Sequence, residues 1–267
     1  MIKKTNTLNI AFLGAGNMAT AIAQGLYHLG CYTLSVAEPY QPALLRWQID
    51  YAAQSLNVNA DVLILAVKPQ QFSEAAQSLC GKISPNTVVI SIMAGVPIIK
   101  ISDALNGHST IIRAMPNTPA RIAQGITGLY ATPSCTLLHK QLAEDIMHSI
   151  GQTVYVDTEA QLDAVTALSG SGPAYVFYIA QALLDAGVQL GLTPSVARQL
   201  ALVTLQGSAA LAAQSGEDLT VLREQVTSKG GTTAAAMDIL HTWQVAQAFH
   251  VAVAAAEARA KALAFLT

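Results

Sequence analysis

Along the first 158 residues, short apolar runs alternate with stretches whose apolar positions recur at helical spacing. The runs at 8–13, 33–37, 60–67, 87–93 and 110–114 read as strands. Those at 60–67 (Asp61 apart) and 87–93 are continuous enough to be buried on both faces of a parallel sheet. Helices are predicted over 20–29, 42–56, 70–79, 97–105 and 134–150, with shorter late strands at 125–131 and 153–156. Strands alternating with helices imply an α/β, doubly wound, mostly parallel sheet. From 159 onward the strand pattern stops, leaving helical stretches at 160–168, 173–190, 194–215, 219–224, 232–241 and 243–265. Gly191-Leu192-Thr193-Pro194 is a stop and restart. The glycine ends one helix, the threonine caps the next and the proline takes its first turn. Two domains are expected, 1–158 and an all-helical 159–267. Helices this rich in alanine have little polar face, so they should pack on other helices and pair with a second copy.

The first strand runs into Leu13-Gly14-Ala15-Gly16-Asn17-Met18-Ala19, a match to the G-x-G-x-x-G/A dinucleotide fingerprint. Gly14 permits the tight turn, Gly16 lets a pyrophosphate approach the backbone, and Ala19 lets the helix lie close to the strand. The helix N-terminus then offers N–H groups and a positive dipole end to the phosphates. Glu38 stands 24 residues past Gly14, at the end of the second strand. An acid there accepts from a ribose 2′-OH, whereas an arginine holds a 2′-phosphate. Glu38 favours NADH on charge, Arg46 two turns on could swing back, and the choice between NADH and NADPH stays open. Ala66-Val67-Lys68-Pro69 and Met93-Ala94-Gly95 end the next two strands, where an open α/β sheet binds its ligands, and form the expected walls around ribose and nicotinamide.

Composition narrows the function. Charged residues are 11% of the 267, against about 25% in an average domain. The surface is therefore short of charge, which suits an oligomer. A net charge of −2 without a Lys/Arg cluster speaks against nucleic acid. Cys31, Cys80 and Cys135 are scattered and read as reduced thiols. Met1-Ile2-Lys3-Lys4 resembles the start of a signal peptide, but the apolar stretch behind it is too short. No run reaches the roughly 18 apolar residues of a membrane span. A cytoplasmic setting is expected.

Two polar, glycine-containing clusters interrupt the helical half: Ser169-Gly170-Ser171-Gly172-Pro173-Ala174-Tyr175 and Thr227-Ser228-Lys229-Gly230-Gly231-Thr232-Thr233. Each precedes a predicted helix and can present hydroxyls and N–H groups to an anion, or serve only as an N-capped loop. The six histidines lack metal-ligand spacing, so no metal is expected. No lysine occurs between Lys140 and Lys229. Carbonyl reduction needs a general acid of that kind, whereas a protonated imine already accepts hydride, so positioning and a weak hydroxyl donor could suffice. Another imine or hydroxy-acid dehydrogenase and a non-catalytic redox sensor are the alternatives. The absent lysine argues against a hydroxy acid, and the 228–233 loop against a sensor.

The glycine loop, Ala66–Pro69 stretch, Met115-Pro116-Asn117-Thr118-Pro119 and both helical-half clusters resemble the pyrroline-5-carboxylate reductases nearly end to end. The resemblance implies NAD(P)H-dependent reduction of 1-pyrroline-5-carboxylate to L-proline, the last step of proline synthesis. It implies a Rossmann domain followed by an all-helical dimerisation domain, as a homodimer often assembled further into a decamer. Carried over, Ser228, Gly230, Gly231 and Thr232 would hold the substrate carboxylate. Thr233 would face the ring nitrogen as the catalytic proton donor. The chain departs from the family at Lys229, where many members have proline, and at Glu38-Pro39, where many have Asn-Arg or Ser-Arg. The second departure leaves NADPH, the family's usual cofactor, and NADH both in play.

Overall fold

The computed structural model describes residues 7–57, 59–79 and 81–266; Cys80 and the charged start Met1-Ile2-Lys3-Lys4 lie outside them. The chain forms two compact units: residues up to Ser171 together with those from Ala256 onward, and Gly172–Ala255.

The first unit opens β1 (Leu8–Leu13), α1 (Asn17–Leu29), β2 (Tyr32–Ala37), α2 (Gln41–Tyr51), β3 (Gln54–Ser55) and β4 (Val62–Leu65). A single 3-10 turn at Pro69–Gln71 leads into α3 (Phe72–Gln77), followed by β5 (Val88–Ser91), α4 (Ile98–Ala104) and β6 (Ile111–Met115). A second 3-10 turn at Thr118–Ile122 precedes β7 (Gly125–Ala131), α5 (Leu137–His148), β8 (Gly151–Tyr155) and α6 (Gln161–Val165). The sheet order is β3-β2-β1-β4-β5-β6-β7-β8. Neighbours are parallel except β6 and β7, which pair antiparallel. The predicted doubly wound sheet is therefore present, with its last two strands, β7 and β8, running opposite to the other six.

Every residue of β4 and β5 is buried, the outcome of helices on both faces. Side chains alternate along each strand and feed two cores. One gathers Ile10, Phe12, Ile64 and Ile90 under α1, α2 and α5. The other gathers Leu13, Leu63, Leu65 and Val89 under α3 and α4. Trp47 anchors α2, its ring edge-on to Phe12 and its Nε1–H donated to Thr20 Oγ1 at 3.1 Å.

One expectation fails here. The helix predicted over 42–56 stops at Tyr51, because Ala52 turns left-handed (φ +50°) and donates its N–H back to the Trp47 carbonyl. Residues 54–55 then pair with Ser35 and Val36 as a sheet edge, a tertiary contact that overrides local helical spacing.

The second unit is helical: α7 (Gly172–Gln189), α8 (Pro194–Ser215), α9 (Leu219–Gln225), α10 (Thr232–Thr242) and the first part of α11 (Val245–Leu266). Thr193 caps α8 by accepting the Val196 N–H, as predicted. A Cβ on Gly187 would lie 3.0 Å from that of Ala197, so α7 and α8 approach through small residues. Within this unit only Ala180, Ala197 and Ala201 are buried apolar residues, while Phe177, Tyr178, Leu190 (85% exposed) and Trp243 (78%) face outward. Among the described residues no helix is long and apolar enough to cross a membrane.

Candidate active site

The glycine loop is built as the fingerprint requires. Gly14 takes φ +100° and donates its N–H to the Ala37 carbonyl at 2.9 Å, bracing the loop on β2. A Cβ at Gly14 would stand 2.8 Å from the Ala66 carbonyl oxygen, so both conformation and space demand glycine. Gly16, the N-cap of α1, is exposed, and a Cβ there would meet nothing nearer than 4.0 Å: its face is open to a ligand. The N–H groups of Gly16, Asn17, Met18 and Ala19 have no intrahelical acceptor at this end, and α1 has no acid in its first turn. Ala19 is buried against the sheet. These residues fit a pyrophosphate. The remaining loop donor, the Ala15 N–H, is taken: Glu38 Oε2 accepts it at 2.8 Å, while Oε1 accepts the Tyr40 N–H at 2.9 Å.

Because β1, β4 and β5 run parallel side by side, the glycine loop, Ala66-Val67-Lys68-Pro69 and Met93-Ala94-Gly95 share the carboxyl edge of the sheet. Ala66 and Val67 are half-buried and Lys68 is exposed, capping the 3-10 turn that Pro69 opens. The Met93 side chain points into the core, so that residue offers only its backbone here; Ala94 is half-buried and Gly95, buried, takes φ +74°.

Behind this wall stands an ion pair that sequence reasoning missed. Arg113, buried on β6, donates Nη1–H to Glu159 Oε1 at 2.8 Å, and the same oxygen accepts the Ile98 N–H at 2.8 Å. Glu159 thereby ties the start of α4, and with it the Met93–Gly95 turn, to the sheet. Arg113 was the available signal, since a charge inside an apolar strand requires a partner. Nearby Asp163 has its carboxyl held above its usual 3.8, mainly by burial and against the pull of Arg113 and Lys261.

Two motifs read separately in the sequence touch. Asn117 Oδ1 accepts the Ile126 N–H at 3.0 Å, and its amide donates to the Ser169 carbonyl and Oγ, each at 3.3 Å. Ser169 and Gly170 belong to a π turn, Thr166–Gly170, closed by the Ser171 N–H on the Thr166 carbonyl at 2.9 Å. A Cβ on Gly170 would come within 2.7 Å of Met115 Cε. The Ser169-Gly170-Ser171 cluster is thus a widened helical turn whose Ser171 N–H is already used, rather than the open loop expected. Such turns are enriched at functional sites.

In the second unit, Ser228, Gly230, Gly231, Thr232 and Thr233 lie on one turn. The Thr227 hydroxyl closes α9 on the Arg223 carbonyl at 2.6 Å. Gly230 takes φ +73°, and Gly231 donates to the Ser228 carbonyl at 3.0 Å. A Cβ on Gly231 would lie 2.5 Å from Ser228 Oγ. Gly231 is the N-cap of α10 without a side-chain cap, and the first turn of α10 carries no acid. The hydroxyls of Ser228, Thr232 and Thr233 bond no protein group among the described residues. The turn gathers backbone donors and hydroxyls, the chemistry by which an anion can be held without an arginine.

Comparison with known proteins agrees. Residues 159–263 match the family model for pyrroline-5-carboxylate reductase dimerisation, and residues 9–95 that for NADP oxidoreductase, coenzyme F420-dependent. The pyrroline-5-carboxylate reductase of Pseudomonas aeruginosa is 39% identical over 240 residues, 87% of this chain and 88% of its own. Among solved structures, a pyrroline-5-carboxylate reductase from Coxiella burnetii is 38% identical with a TM-score of 0.89, over 97% of this chain and 99% of that one. The Plasmodium falciparum pyrroline carboxylate reductase with NADP bound is 26% identical with a TM-score of 0.84, over 96% and 98%. A Rossmann sheet followed by a helical dimerisation domain, with both halves matched along nearly their whole length, makes this chain a member of the pyrroline-5-carboxylate reductase family.

Proposed function

We propose that the chain reduces 1-pyrroline-5-carboxylate to L-proline with NADPH or NADH, and that Ser228, Gly230, Gly231, Thr232 and Thr233 are its substrate residues. The observation that carries this assignment is the α10 turn: the hydroxyls of Ser228, Thr232 and Thr233 and the N–H groups of Thr232 and Thr233 have no protein partner among the described residues, and the first turn of α10 has no acid. A substrate carboxylate accepts from the orphan N–H groups of Thr232 and Thr233 and from Ser228 Oγ, with the helix dipole favouring its charge. Thr233 Oγ1 then faces the ring nitrogen and holds its proton in place. The bound nicotinamide supplies a hydride. The glycine loop grips the pyrophosphate, and Ala66, Val67, Lys68, Pro69, Met93, Ala94 and Gly95 wall ribose and ring while excluding water. The imine arrives protonated, so the chain's task is placement rather than acid catalysis.

The domain boundary near 158 is our reading, as is a cytoplasmic homodimer in which the exposed apolar helices are paired. Association of dimers into a decamer is the larger alternative, and sedimentation equilibrium distinguishes the two. The activity is tested by loss of reduced-nicotinamide absorbance on adding 1-pyrroline-5-carboxylate. Turnover with either cofactor supports the proposal; folded protein that binds cofactor but turns over neither defeats it.

A further inference from the structure

We infer that Glu38 makes this chain an NADH enzyme that rejects the 2′-phosphate of NADPH. The inference rests on the reading of the sheet edge as a nicotinamide-cofactor site and adds which cofactor that site selects.

The Glu38 side chain is fixed at both oxygens. Oε2 accepts from Ala15 in the phosphate loop, and Oε1 accepts from Tyr40 at the start of α2. Each carboxylate oxygen has a further lone pair available after its backbone bond. The pair of oxygens therefore presents two acceptors at the end of β2, where the adenosine ribose of a dinucleotide lies. Vicinal 2′- and 3′-hydroxyls are donors and complement it. A 2′-phosphate has only acceptors and a charge of the same sign.

The carboxylate does not turn away freely, because its departure strips the part-buried Ala15 N–H of its acceptor and gives up the exposed bond from Tyr40. The turn around it offers a phosphate little in return. Pro39 has no N–H, and that of Tyr40 is used. The neighbouring cation, Arg46, pairs with Asp50 at 3.1 Å, one helical turn further from Glu38 along α2. Arg46 also lines a groove of about 460 Å³ with Ala15, Asn17, Tyr40 and Arg121. The rival arrangement is thus explicit: Arg46 leaves Asp50 and reaches a 2′-phosphate across that groove.

Direct binding decides between them, measured by nicotinamide fluorescence on the full chain without substrate, so a failed turnover assay leaves the result standing. The wild type should bind NADH roughly tenfold or more tightly than NADPH, and rising salt should narrow the ratio as like-charge repulsion is screened. Glu38→Gln and Glu38→Ser should each lower the NADH:NADPH ratio by about tenfold, chiefly by improving NADPH. In competition, 5′-ADP should displace NADH well and 2′,5′-ADP poorly. Arg46→Ala should leave the ratio unchanged. Three results overturn the inference: a wild type that binds NADPH as tightly as NADH, Glu38 variants that weaken both cofactors equally, or an Arg46→Ala that selectively loses NADPH. If a Glu38 variant does not fold, the wild-type ratio and the nucleotide competition still decide it.

Discussion

The two units hide their apolar residues in opposite ways. In the sheet unit Ile10, Phe12, Ile64 and Ile90 have no exposed surface, closed in by helices of the same chain. In the helical unit Phe177, Tyr178, Leu190, Val203 and Trp243 are largely exposed, and what is buried is alanine. Large apolar side chains exposed in such number on one unit suit a surface that meets a partner. The sheet unit is a finished core that presents backbone to a cofactor. The helical unit is half of a core, completed by the second copy that a dimerisation domain implies.

The sharpest way to break this contrast is Gly14→Ala. It forces an L side chain to φ +100° and onto the Ala66 carbonyl, so we expect destabilisation of about 3 kcal/mol or more and loss of cofactor binding. Thermal melts with and without NADH read both effects. Thr233→Ala makes the complementary cut: kcat should fall roughly a hundredfold while cofactor affinity holds. A matched loss of cofactor binding would remove Thr233 from its assigned role. A smaller pair sharpens the surface argument. Val203→Glu on α8 should shift the protein toward monomer in sedimentation and lower its Tm. Ile49→Glu on α2, an equally polar change at a still more exposed site, should stay within about 0.5 kcal/mol.

The smallest effect is a pH dependence. The Asp163 carboxyl is held above 3.8 chiefly by burial, so the folded chain binds its proton more readily than the unfolded chain. Stability from this group is therefore present below 3.8 and is lost as pH rises through the raised folded value. Asp163→Asn should flatten that slope, with a slightly higher Tm than wild type at neutral pH and none of the advantage below 3.8. A variant less stable at neutral pH would mean that attraction to Arg113 outweighs burial.

Features written in local spacing were legible in the sequence. The limits of β1, β7 and α8, the Thr193 cap and the Gly14 turn follow from neighbours within a few residues. Features made by distant partners were not. Residues 54–55 become a strand only because β2 offers them an edge. Arg113 is a charge inside an apolar run, a signal present in the sequence, yet nothing nearby points to Glu159, 46 residues on. Asn117 and Ser169, 52 apart, lie in two separate motifs whose contact no local spacing implies. The widened turn at Thr166–Gly170 changes helical pitch without changing composition, so periodicity is blind to it.

The bare apolar faces of α7 and α8 carry one more consequence. A core shared between two chains places a concentration inside the folding equilibrium, since unfolding a dimer to two chains scales with the square of the free chain. The midpoint of melting should then climb with protein concentration. A loss of affinity between copies would act as a loss of stability even if every residue of the sheet unit were untouched.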